Sequence, residues 1–99
     1  MKEKANQIAA LLKILANPHR LLIMCALMES NKTVSRIAPY VPDISLSALS
    51  QHLTLLKTAG ILHSEKHGQS VTYSIADERV EAVVRTLKKY YCEEKAELS

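Results

Sequence analysis

The chain has 99 residues, 47% of them apolar and none of them Trp or Phe, which suits a single domain over residues 1–99 with a modest aliphatic core. Its longest apolar run, Leu21 to Met28, is eight residues, far short of the roughly 20 that a membrane span needs; the start, MKEKANQ, leads into no secretory signal, so the cytoplasm is the expected location. The net charge of +3 is unevenly spread, with eight Lys/Arg against four acids in residues 1–76 and five against six in residues 77–99, which suits a body that faces phosphates and a tail with another task.

Residues 3–16 carry Ile8, Ala9, Leu12 and Leu15 at helical spacing and predict an amphipathic helix. Asn17-Pro18 supplies an N-cap followed by proline at the first helical position, so a second helix is expected over about 18–30. It is apolar nearly all round from Leu21 to Met28, which places it at the centre of the domain. A short third helix is expected from near Thr33, carrying Val34 and Ile37 and limited by Pro39 and Pro42.

Ser45 is an N-cap for a fourth helix, 46–59, and Gly60 stands where a C′ glycine belongs. Leu46, Leu49, Leu53 and Leu56 recur every three or four residues and are expected to face the core. The opposite stripe is Ser47, Ser50, Gln51, Thr54, Lys57 and Thr58, polar and free of acid. Ile61–Lys66 and Ser70–Ile75 alternate around His67-Gly68-Gln69 and predict a β-hairpin. Asp77 caps a last helix, about 78–95, whose apolar face is Val80, Val83, Val84, Leu87 and Tyr91.

The order α-α-α-α-β-β-α, mainly helical with one small hairpin, is that of a winged helix-turn-helix. Such a domain enters the major groove with a helix whose outer face tolerates phosphate and offers donors to base edges. A Ser/Thr/Gln stripe alone is an ordinary solvated face; the turn before it and the wing after it give it meaning. Ser47, Ser50 and Gln51, in the first turn and a half, are the expected base readers. Arg36, Lys57, Gln69 and the wing residue His67 are the expected backbone contacts, and double-stranded DNA the expected partner.

Three segments, LLKILANPHRLLIMCAL at 11–27, ISLSALSQHLTLLKTAGIL at 44–62 and HGQSVTYSI at 67–75, resemble the ArsR/SmtB family of repressors, over nearly the whole chain. The resemblance implies a homodimer formed through the first and last helices, which sets two recognition helices in successive major grooves. It implies repression that an inducer relieves. Family members that sense metals carry cysteines on the third helix, or His and acidic ligands on the last. Residues 33–40 contain no Cys and residues 77–99 no His. The four histidines, His19, His52, His63 and His67, do not cluster by spacing, so neither metal nor cofactor is expected.

Cys25 and Cys92 form no CxxC and match no zinc spacing. By the same resemblance they fall where the sulfane-sulfur and redox-sensing branch, the BigR-like and YgaV-like repressors, carries its sensing pair. That branch implies reactive sulfur species as inducer and a disulfide or polysulfide between Cys25 and Cys92 that releases DNA. Lys88 and Lys89 precede Cys92 and favour its thiolate, whereas Glu93 and Glu94 oppose it.

The alternatives are a metal-sensing or non-sensing repressor of the same type and, from another class, a thiol redox enzyme. The absence of CxxC and the apolar setting of Cys25 argue against catalysis. Two departures from the family stand out. Leu46 occupies a position where many relatives read bases with Gln, and APYVPDIS differs from the usual third-helix connection. With ends this short, no extra sensor segment is expected.

Overall fold

The computed structural model describes residues 1–90. Helix α1 (Lys2–Leu15) stops at Ala16 and the chain turns by 92° into α2 (Pro18–Glu29). The turn is enforced by Asn17, whose Oδ1 accepts from the backbone N–H groups of His19 (2.9 Å) and Arg20 (3.2 Å). Two of the four orphan donors of α2 are thereby satisfied, and Pro18 removes a third. Among the described residues no single helix is long and apolar enough to cross a membrane.

Helix α2 packs against the last helix and the sheet, burying Ile23, Met24, Ala26 and Leu27. It is less central than its sequence predicts: Leu21 and Leu22 face outward, and Cys25 and Met28 are half-buried.

After α2 the chain makes a two-residue strand, β1 (Lys32–Thr33), that composition does not predict. It pairs antiparallel with β3, Lys32 opposite Tyr73 and Thr33 opposite Thr72. The expected hairpin is therefore two strands of a three-stranded sheet, ordered β1-β3-β2. The third helix shortens to α3 (Val34–Ile37) and continues as one 3₁₀ turn, Ala38–Tyr40. The prolines account for this, since a proline ring opposes continued α-helix.

Helix α4 (Leu46–Thr58) opens at Ser45, whose hydroxyl accepts from Ala48 N–H at 3.1 Å, and closes before Gly60 at φ +81°. Strand β2 (Leu62–His67) begins one residue later than expected, and β3 (Ser70–Ile75) matches its expected span. His67 pairs with Ser70 across a two-residue turn. Gly68, at φ +63°, leads that turn as glycine does in the II′ type, which matches the twist of the strands it joins.

Helix α5 (Glu78–Lys88) is capped by Asp77, whose Oδ1 accepts from Arg79 N–H (2.9 Å) and Val80 N–H (3.3 Å). The expected extension of this helix to 95 runs past the described residues, and Tyr91 and Cys92 lie outside them.

The core is aliphatic. Leu49, Leu53 and Leu56 of α4 meet Ile23, Met24 and Leu27 of α2, Ile37 and Val41, Ile61 and Leu62, and Val80 and Val84 of α5. Burying one such side chain contributes about 1.5–3 kcal/mol, so this cluster holds α4 against the rest by one face only.

Candidate nucleic-acid interface

That one-sided packing decides what α4 offers to solvent. At 100° per residue, Ser47, Ser50, Gln51, Thr54, Lys57 and Thr58 fall on the face opposite the buried leucines, and all six are exposed. The helix contains no acid, and Lys57 stands in its last turn. The face therefore carries hydroxyl and amide groups, able to donate or accept, and one cation.

Leu46 departs from expectation. It is 62% exposed rather than buried. It sits at the first helical position, on the edge of the leucine stripe, and helical side chains lean toward the N-terminus. Its side chain therefore overhangs the start of α4, beyond the partners that cover Leu49 and Leu53.

The polar face is also less uniformly polar than its composition suggests. Ser50, Gln51, Thr54 and Thr58 share an open hollow of about 590 Å³ with Leu55 and Ala59 and with Ile14 from the last turn of α1. Leu55 breaks the three-and-four leucine spacing, and that break is the sequence signal for its outward position.

The remaining expected contacts are distributed around this helix. Arg36 is exposed on α3, the short helix preceding the turn. His67 and Gln69 are exposed at the hairpin tip, where His67 Nε2 lies 3.4 Å from Glu65 Oε2. The wing tip thus carries an acid beside its histidine, with the exposed Lys66 between them in sequence.

Sequence spacing separates the histidines, yet folding brings two of them together. The rings of His19 and His52 lie 5.7 Å apart between centroids. His19 Nε2 contacts Asp43 Oδ2 at 3.2 Å, and Arg20 donates from Nε to His52 Nδ1 at 3.2 Å. Burial, together with the charges of Arg20 and His19, holds His52 below the ordinary histidine value. The hydrogen bond from His19 holds the Asp43 carboxyl below its own. Among the described residues no three His, Cys, Asp or Glu side chains form a group able to hold a metal ion. Of the two cysteines, Cys25 is half-buried on α2, which packs against α5, and Cys92 lies outside the described residues.

Comparison with known proteins gives a consistent set of likenesses. The profile of bacterial regulatory proteins of the arsR family matches residues 17–64. The HTH-type transcriptional regulator YgaV of Escherichia coli K12 is 40% identical over 92 residues, 93% of each chain. The reduced HlyU of Vibrio cholerae superposes with a TM-score of 0.86 at 34% identity, covering 93% of this chain and 96% of that one. The transcriptional repressor BigR of Xylella fastidiosa superposes at 0.84 with 29% identity, covering 93% of both chains.

Proposed function

The chain belongs to the arsR family of bacterial regulatory proteins, a DNA-binding transcriptional regulator, and from that membership we propose a cytoplasmic homodimeric repressor that leaves its operator when Cys25 and Cys92 are oxidised by reactive sulfur species. The observation that carries the DNA-reading part is the acid-free outer face of α4, set on a buried leucine stripe between the α3 turn and the wing. Ser47, Ser50 and Gln51 read base edges from its first turn and a half. Lys57 and Arg36 hold phosphates, with His67 and Gln69 at the wing.

Dimerisation is supported by an apolar surface shared by α1 and α5. Ile8, at 59% exposed, and Leu12 stand out from α1, and Val83, Leu87 and Tyr90 from the C-terminal side. A hollow of about 340 Å³ lies between the two helices, lined by Gln7, Ile8, Leu11, Leu12, Val80 and Val83 among others. An apolar face of this extent favours burial against a second copy, which also spaces two reading helices for successive major grooves.

The sensing step is supported by the packing of α2, which holds Cys25, against α5, which leads in sequence to Cys92. It is supported too by a relative described in a reduced form. An organic persulfide transfers its outer sulfur to one thiol and leaves as the thiol RSH. The second cysteine then attacks that persulfide, forming the disulfide and expelling hydrogen sulfide. Two thiols lose two electrons and one sulfane sulfur gains them. A longer polysulfide link relaxes the short Cα separation that a direct disulfide demands.

The test is binding to the DNA upstream of its own gene, first reduced and then after persulfide. Loss of affinity that reductant restores, absent in Cys25→Ser and Cys92→Ser, is the expected result. Unchanged affinity after treatment removes the sensing step and keeps the DNA reading.

A further inference from the structure

A side chain in the first turn of α2 links three helices at once. Arg20, the third residue of α2, donates from Nη1 to the carbonyl oxygen of Ile14 at 2.9 Å and from Nε to His52 Nδ1 at 3.2 Å. The Ile14 carbonyl belongs to the last turn of α1, where helix carbonyls have no intrahelical partner and a cation is favoured. His52 follows Gln51 on α4. The same Ile14 also borders the hollow shared with Ser50, Gln51 and Thr54, so the end of α1 lies beside the reading face.

We propose that Arg20 is a positioning residue for DNA reading, its guanidinium tying the end of α1 to His52 on α4, and that this tie holds only while His52 is neutral. The proposal rests on α4 being the DNA-reading helix. Arg20 has donors and no acceptor, so the bond to His52 requires an unprotonated Nδ1 and an N–H on Nε2. A proton on Nδ1 removes the acceptor and sets an imidazolium against a guanidinium. The charged and titratable groups facing His52 are Arg20 and His19, both of α2, with Asp43 of the turn before α4 paired to His19. No carboxylate faces His52 directly among them, so nothing at the site compensates the new charge.

The consequence opposes simple electrostatics. Adding protons to histidines of a DNA-binding protein raises its attraction for phosphate and tightens binding on acidification. Loss of the Arg20–His52 tie weakens binding over the same range, because α4 is no longer held against the end of α1.

The experiment measures affinity for operator DNA at constant ionic strength from pH 8 to pH 5.5, with His52 titrated in parallel by NMR. The expected result is an affinity that falls toward about tenfold per pH unit for each bound protomer's His52 below its midpoint, with that midpoint under the ordinary histidine value. The fall disappears in Arg20→Lys, which cannot bridge both partners, and in His52→Asn, which places an acceptor near the Nδ1 position but takes up no proton. A wild-type affinity that is flat or rises with acid overturns the tie, as does a fall that persists in His52→Asn or follows a midpoint other than that of His52. The wild-type profile and the NMR midpoint decide the matter even if a variant fails to fold. Absence of DNA binding at pH 8 overturns instead the functional reading, and the tie with it.

Discussion

The ammonium of Lys32 lies 2.7 Å from the carbonyl oxygen of Ala26, one of the last four carbonyls of α2. Its side chain is only 10% exposed, and it also donates to Ser30 Oγ at 2.9 Å and stands 5.4 Å from the centre of the Tyr40 ring. A cation here closes the end of α2, where the helix dipole and the orphan carbonyls both favour positive charge. Lys32→Met keeps the stem and removes these bonds. The expected cost is about 1.5–3 kcal/mol, read as a lower urea midpoint at unchanged m-value.

The leucines of α4 separate cleanly by exposure. Leu53→Ala is expected to cost about 2–5 kcal/mol, since its side chain is wholly enclosed. Leu46→Ala is expected to stay within about 0.5 kcal/mol, despite sharing the same heptad-like spacing. Equilibrium unfolding of the two variants checks this, and equal costs would contradict the outward position of Leu46.

On the proposed reading face, Ser50→Ala and Gln51→Ala are expected to weaken operator binding by about 1–3 kcal/mol where the side chain contacts a base edge. Thermal stability should barely move, because both side chains are exposed. Lys57→Ala is expected to weaken binding to all sequences alike and to lower the salt slope by about one per bound protomer. Titrations of specific and scrambled DNA at several salt concentrations distinguish the two classes.

Acid sensitivity of the fold is expected at Asp77. The hydrogen bond from the Arg79 side chain, above all, holds its carboxyl below the usual aspartate value. A folded value below the unfolded one contributes stability above about pH 4 that disappears as pH falls through the lowered folded value. Asp77→Asn retains a capping oxygen and should flatten this acid limb. Asp77→Ala also loses the cap, at about 1 kcal/mol. Urea midpoints between pH 7 and pH 2.5 report both effects.

The helix boundaries were legible because their signals are local. Asn17-Pro18, Ser45, Gly60 and Asp77 each act within three or four residues, and each does in the structure what its chemistry dictates. The polar face of α4 was equally legible from helical spacing. Three features were not. Strand β1 is two residues long, too short to show alternation, and exists only because Thr72 and Tyr73 return beside it. Periodicity gave the angular position of Leu46 but not where the core stops along the helix axis. The meeting of His19 and His52, 33 positions apart in the chain, depends on tertiary folding and leaves no local trace.

The β1–β3 pairing also governs how the wing moves. Strand β3 is gripped along both edges, by β2 on one side and at Thr72 and Tyr73 by the two residues that lead directly into α3. Only the few residues nearest Gly68 extend past that double grip. The wing and the helix-turn-helix therefore turn as one body, with the fingertip alone left to adapt to the DNA backbone. In the homodimer proposed above, a signal that weakens binding must then rotate this whole body relative to its twin, which would register as sensitivity to the spacing between operator half-sites.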